Sequence, residues 1–549
     1  MPRGRHKAET GRGTFMGARG GKVATEADKA IDIKRDRLVI TASAMGTVFE
    51  WYDFFLYGIL AALIGKLFFP ADNPTAALLA SLAAFGAGFA VRPLGAMLFG
   101  YYGDRIGRKY TFLVTITLMG GATVAIGLLP TYAQAGLWAP GLLLVLRLLQ
   151  GLALGGEYGG AAIYVGEHAP PGKRGQYTSW IQISVVGGFL LAVVVVLASR
   201  RAMSVEAFEA WGWRLPFLLS FLMLVVSIVI RMKLSESPVF QAMKDAGTLV
   251  KNPIFEAFSD RGNVGRVLVA LFGVAAGLTV IYYTSQFGTL YFLTGTARVT
   301  EEAALLYLAF GALLAAPLYV GFGMLSDRIG RKKLLLAGYA LAMLLVFPLF
   351  HLMAEGANPA LARATRDNPV VLEAPACSFS VFARAQESEC GNALAFLSKR
   401  GIAYAKAEAP GVALRVGEAR VSGFDADAWE AAISAAGYPL VADPAEKAHW
   451  KIILGVAVMV ALSAMTYGQV AAILVELFPA KVRYTSMSVP YHIGTGYFGG
   501  FLPFISQYIV VRTGDPFAGL WYTVAVVAMA FLVALIWLPE TKDRVLDHE

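Results

Sequence analysis

Apolar runs of roughly 20 residues, the length an α-helix needs to cross a bilayer, recur along this chain with short polar breaks between them. They fall at about 38–63, 76–99, 110–129, 139–166, 176–198 and 213–232, then at 265–293, 302–325, 333–353, 450–477, 485–511 and 517–538. The pattern predicts twelve membrane helices in two sets of six. Between the sets, residues 233–264 are polar and carry Asn252-Pro253, the mark of a connecting loop.

The two sets repeat one another. GYYGDRIGRK (Gly100–Lys109) follows the second run and GMLSDRIGRK (Gly323–Lys332) the eighth. EHAPPGKRGQYTS (Glu167–Ser179) closes the fourth run and ELFPAKVRYTS (Glu476–Ser486) the tenth; LSESP (Leu234–Pro238) closes the sixth and LPETK (Leu538–Lys542) the twelfth. From Gly100 to Gly323 the offset is 223 residues, but from Glu167 to Glu476 it is 309 and from Leu234 to Leu538 it is 304. An insertion of 80–86 residues therefore lies between Lys332 and Glu476, and the polar stretch 354–447 supplies it. Its strand-like pieces GIAYAKAE and GVALRVGEARV and its helix-like DADAWEAAISAAG predict a small α+β unit.

Composition agrees with a membrane protein. The 549 residues are 57% apolar and only 15% charged, against about 25% charged in soluble domains. The net charge of +9 does not point to nucleic acid, because no zinc-finger spacing and no basic, aromatic-interleaved helix accompanies it. Lys and Arg sit instead in the breaks. With both termini inside, the inner segments hold 29 of them and the short outer loops 6. That asymmetry predicts cytoplasmic termini and an outward insertion in a bacterial inner membrane.

The expected organisation is then a disordered basic cytoplasmic tail (1–36, with no apolar leader), a six-helix half (37–232) and a cytoplasmic loop (233–264). The second half follows in two parts (265–353 and 448–540) around a periplasmic insertion (354–447), with a short cytoplasmic tail at 541–549. Cys377 and Cys390, the only cysteines, both fall in the insertion, where an oxidising compartment favours a disulfide.

Ionisable side chains inside apolar runs are costly and mark function or a partner. Glu50 and Asp53 lie three apart on the first run, Arg92 is on the second, and Arg147 and Glu157 are on the fourth. At ~1.5 Å per residue, Glu50 is ~20 Å from the inner end and Arg147 ~12 Å from the outer end, which is one depth in a ~30 Å core. Glu50, Asp53 and Arg147 are therefore expected to cluster as a proton-coupling site. Tyr57, Arg92, Glu157, Tyr282, Gln286, Tyr467, Gln469 and His492 are candidate substrate contacts. The run LALGGEYGGAA (Leu152–Ala162) reads as close helix packing through small residues. No nucleophile–base set or metal cluster is readable, so neither an enzyme nor a cofactor is expected, only a proton as coupling ion.

GYYGDRIGRK and GMLSDRIGRK resemble the signature loop of the major facilitator superfamily. GTVFEWYDFFLYG (Gly46–Gly58), FAVRPLGAMLFG (Phe89–Gly100) and RLLQGLALGGEYGGA (Arg147–Ala161) are similar to its metabolite:proton symporters, carriers of α-ketoglutarate, citrate, shikimate, and proline or betaine. The resemblance implies an all-α fold of two pseudosymmetric halves and associates Arg147 with proton coupling. It also implies a gate of Gly100, Asp104, Arg105, Gly107, Arg108, Glu167, Asp327, Arg328 and Arg331. The expected function is proton-coupled uptake of a small organic anion by a lipid-embedded monomer. The alternatives are a proline or betaine symporter, with Trp51 and Tyr52 caging the amine, and a transporter-like sensor.

Overall fold

The computed structural model describes residues 47–70, 74–106, 108–156, 158–232, 253–376, 379–380, 382, 386–439, 441–479 and 482–544. The tail 1–36, residues 233–252 of the central loop and residues 545–549 lie outside this set.

In lipid, every backbone polar group must be satisfied within its own segment, and the apolar runs accordingly form helices. Seven are long and apolar enough to cross unbroken: Pro74–Tyr102 (span 2), Arg174–Arg201 (span 5), Arg261–Thr296 (span 7), Glu301–Ile329 (span 8), Arg331–Ala357 (span 9), His449–Leu477 (span 10) and Leu520–Trp537 (span 12). Two crossings are bent pairs, Thr47–Ile59 with Ala61–Phe68 at 60° (span 1) and Val205–Gly212 with Arg214–Ile230 at 52° (span 6). Arg108–Leu128 is span 3; Trp138–Leu154 with Tyr158–His168 is span 4; Arg483–Ile493 with Leu502–Thr513 is span 11. The described chain thus forms twelve crossings in two halves of six, and spans 5 and 8 pack together along the junction.

Small residues let spans 2 and 4 touch backbone to backbone. A Cβ on Gly151 would collide with the Gly88 carbonyl, and one on Gly155 would stand 2.6 Å from the Ala96 nitrogen. The glycine run that begins here is a packing surface, which places span 4 directly against Arg92.

Between spans 9 and 10 the inserted unit folds as β1 (Val370–Ala374), α1 (Glu389–Lys399), β2 (Ala405–Glu408), β3 (Ala413–Val416), β4 (Ala419–Ser422) and α2 (Ala426–Ala435). The sheet order is β2-β1-β3-β4, with β1 and β2 parallel and the other pairs antiparallel. Leu372 pairs with Leu414, and Gly417 turns the β3–β4 hairpin at φ +57°, a conformation that favours glycine. Ser388 and Asp425 cap α1 and α2 through their side-chain oxygens. Leu394, Leu397 and Trp429 bury against the sheet, and the same cluster takes in Ala76 and Leu79 of span 2 and Val511 of span 11. Cys390, in the first turn of α1, is disulfide-bonded; the only other cysteine, Cys377, lies outside the described residues.

Overpacking a tight helix contact costs about 1–3 kcal/mol. Gly155→Val is therefore expected to lower the melting temperature of the detergent-purified protein clearly. Gly141→Ala, with nothing within 4 Å of the added carbon, should leave it unchanged or raise it.

Candidate functional site

The centre of the bundle holds a set of buried polar groups wrapped in aromatic rings. Asp53 on span 1 accepts a hydrogen bond from Ser220 Oγ of span 6 at 2.5 Å. Thr123 of span 3 also hydrogen-bonds this carboxylate, and its hydroxyl lies 3.0 Å from the Met119 carbonyl. Gln150 Nε2 donates to Thr123 Oγ1 at 2.7 Å, and Arg147 Nη1 donates to Gln150 Oε1 at 2.6 Å. Among the described residues Asp53 and Arg147 form no direct ion pair. Two neutral side chains stand between them: Gln150 passes the donation from the guanidinium on to Thr123, whose hydroxyl lies between the Met119 carbonyl and the Asp53 carboxylate. Glu50 is buried one turn away on the same helix.

Each arginine lies against aromatic faces, which attract cations. The Arg147 guanidinium sits 4.4 Å from the Tyr57 ring and 5.2 Å from that of Phe85. Tyr57 is held in turn by its hydroxyl, which donates to the Ser81 carbonyl at 3.1 Å. Arg92 lies 3.8 Å over Phe89 and 5.0 Å from Phe54. Phe54, Phe85, Phe89, Tyr283 and Phe287 form a connected cluster of rings across both halves, with centroids 5.0–6.5 Å apart.

Among the described residues, several buried polar atoms have no hydrogen-bond partner. They include Nε of Arg92 and of Arg147, both ring nitrogens of His492, Oε1 of Gln286 and Oγ1 of Thr495. Gln286 and Thr495 sit in π-helical turns, Thr284–Gly288 and Gly494–Gly500, a local widening of the helix that often accompanies functional positions. Tyr282 and Tyr467 meet with ring centroids 5.3 Å apart, and the Tyr467 hydroxyl is 3.3 Å from Thr279 Oγ1.

Gln469 is elsewhere. Its Nε2 donates to the Met465 carbonyl at 3.4 Å, and its amide lies beside the Arg331 carbonyl and the Leu335 nitrogen at the start of span 9. Tyr52 also points away from the centre, donating to the Pro216 carbonyl at 2.7 Å. Glu157 and Gly107, and the side chains of Asp104, Arg105 and Arg108, lie outside the described residues.

Charged groups tie the halves together at both ends. At the end remote from the inserted unit, Glu476 takes Arg331 (3.1 Å), Arg174 (2.8 Å) and Thr541 (2.8 Å). Asp327 pairs with Arg331 at 2.7 Å and accepts from the backbone nitrogens of Gly175 and Gln176, each at 2.8 Å. Those amides begin span 5, where the helix dipole favours an anion. Glu540 does the same for span 9, accepting from the nitrogens of Arg331 (2.8 Å) and Lys332 (3.2 Å). Glu167 pairs with Arg483 at 2.7 Å, Gly100 faces the Tyr484 ring, and the Arg328 carbonyl accepts from Lys542 at 3.1 Å. At the other end Arg200 pairs with Glu301 at 2.7 Å and Arg201 with Glu302.

Comparison with known proteins follows the same lines. The family model for sugar (and other) transporters matches residues 38–252 and 431–548. The chain is 30% identical, over 92% of its length, to the inner membrane metabolite transport protein YhjE of Escherichia coli, 94% of which is covered. It is 35% identical over 59% of its length to the glycine betaine/proline/ectoine/pipecolic acid transporter OusA of Dickeya dadantii, and spans 66% of that relative. Against the shikimate transporter of Escherichia coli the identity is 36%, over 60% of this chain and 75% of that protein. Among solved structures, the partially occluded inward-open xylose transporter XylE from Escherichia coli shares the fold. Its TM-score is 0.59 at 16% identity, over 93% of this chain and 99% of that one.

Removing one partner of a buried pair costs about 3–5 kcal/mol, whereas an exposed pair contributes below ~1 kcal/mol. Glu476, with a side chain 0% exposed, and Arg201, 65% exposed, should separate cleanly. Glu476→Gln is expected to lower the melting temperature by many degrees and Arg201→Ala to leave it nearly unchanged.

Proposed function

We propose that this chain, which belongs to the sugar (and other) transporter family of the major facilitator superfamily, is a proton-coupled symporter of a small organic acid. The Lys and Arg asymmetry orients it with both termini in the cytoplasm and the inserted unit in the periplasm. It works as a monomer by alternating access.

The observation that carries the reading is the line of hydrogen bonds from Arg147 through Gln150 and Thr123 to Asp53. While Asp53 is ionised, its charge draws the Thr123 hydroxyl from the Met119 carbonyl toward the carboxylate, and Arg147 is held through Gln150. Once Asp53 takes a proton its carboxyl accepts hydrogen bonds only weakly. Thr123 then turns to the Met119 carbonyl, and Arg147 is free to meet an anion. Two buried guanidiniums with no ion-pair partner among the described residues are costly in a low-dielectric interior. A carboxylate arriving between Arg92 and Arg147 offsets that cost, and His492 and Gln286 offer it further polar contacts. Proton and substrate thus bind best together, as symport requires.

A second reading, a betaine or proline symporter, rests on the rings of Phe54 and Phe89 around Arg92 and of Tyr57 and Phe85 around Arg147. Aromatic faces that hold a guanidinium also suit a quaternary ammonium, and relatives named for betaine and proline belong to this family.

Uptake into proteoliposomes separates the two. An inward proton gradient should drive accumulation of an organic acid, and a protonophore should abolish it. Asp53→Asn is expected to lose accumulation while keeping exchange of internal for external substrate, and Gln150→Leu to lower gradient-driven uptake about tenfold. Accumulation of betaine in place of every acid would transfer the assignment to the second reading, and mere equilibration would remove proton coupling.

A further inference from the structure

A cleft of about 460 Å3 opens between the inserted unit and the loop that joins spans 7 and 8. Its walls carry three cations, Arg298, Lys399 and Arg400, against one carboxylate, Glu430. Arg400 pairs with Glu430 and lies 3.8 Å over the Phe396 ring, so both of those charges are already satisfied. Arg298 is held by the carbonyls of Pro439 and of Arg400, contacts that fix its guanidinium without neutralising it. Lys399 is exposed on the rim, and among the described residues it has no ion-pair partner. The cleft therefore keeps two uncompensated positive charges.

The backbone supplies a second, independent sign. Arg298 stands at φ +59°, and only one other non-glycine residue among those described lies in that left-handed region. Such strain persists where the surroundings over-determine a position, and it gathers at ligand clamps. Here it aims a cation into a cavity whose size falls in the usual range for small-molecule sites.

We propose that this cleft is a second binding site, separate from the central one, for a small organic dicarboxylate. Lys399 and Arg298 meet the two carboxylates, Thr300 and Ser434 supply hydroxyl donors, and Ile402 and Ile433 cover the carbon chain. The apolar wall selects a carbon skeleton over inorganic phosphate, which would leave it uncovered. The bound anion bridges the inserted unit to the segment leading into Glu301 and Glu302, and so stabilises the ion pairs that close this end. The choice of ligand class rests on the organic-acid reading above; the site itself does not.

The test is equilibrium binding of radiolabelled succinate to the purified full chain in detergent, with acetate, citrate and inorganic phosphate as competitors. Two sites per chain are expected. Lys399→Glu, on an exposed side chain that leaves folding intact, should weaken one of them at least about tenfold. Arg147→Gln should remove the other. Arg298→Gln should act like Lys399→Glu, with an unchanged melting temperature as the control for folding. Binding that is indifferent to Lys399→Glu, whether at one site or two, overturns the proposal, and so does phosphate displacing succinate from the Lys399-dependent site as well as citrate does. Loss of the Lys399-dependent site alone, with Arg147→Gln silent, would uphold the cleft and count against the central reading.

Discussion

The carboxylate of Glu476 has no exposed surface, and it is where the two halves meet. A buried charge is tolerable only beside an opposite one with its remaining lone pairs satisfied. Glu476 meets that condition by taking Arg174 from the start of span 5, Arg331 from the start of span 9 and Thr541 from beyond span 12. Three segments distant in sequence are thereby fixed at one point. Spans 5 and 8 run from there to the other end, and their course sets where Arg200 and Arg201 find Glu301 and Glu302.

The same requirement is answered differently in the middle. Arg92 and Arg147 lie against rings and a neutral amide instead of carboxylates. Aromatic faces attract a guanidinium by ~0.5–2 kcal/mol and impose no fixed stoichiometry of charge. At the ends of the molecule cations are paired with acids; at the centre they are only held. An arriving anion can therefore change the balance at the centre without first breaking an ion pair there.

Much of this was visible in the chain itself. Helices surrounded by lipid must be apolar throughout, so the runs declare themselves, and the unequal offsets between paired motifs located the insertion. Within it GIAYAKAE, GVALRVGEARV and DADAWEAAISAAG contain β2, β3 with all but the last residue of β4, and α2. The short β1 and α1 gave no comparable signal, since VVLEA directly follows a helix and α1 begins within a polar stretch. Asp53, Arg92 and Arg147 stood out because charge is rare in such runs. Depth along the membrane could be counted, but the direction a side chain takes around its helix could not. Gln150, Thr123 and Ser220 were therefore invisible, being ordinary polar residues whose meaning comes from who they face. Gln469 was grouped with the central residues by type alone, and its neighbours are those of Arg331.

The inserted unit touches the two halves unequally. To the second it is joined by the chain at both ends, by Tyr404 and Arg512 around Gly514 and Phe379, and by Arg298. To the first, among the described residues, it offers Ala76, Leu79 and a hydrogen bond of 3.3 Å from Thr75 to the Ser398 carbonyl. A part so mounted belongs mechanically to one jaw, as a visor does: were the jaws to separate at that end, it would lift with its own side and the thin seam along span 2 would become the mouth.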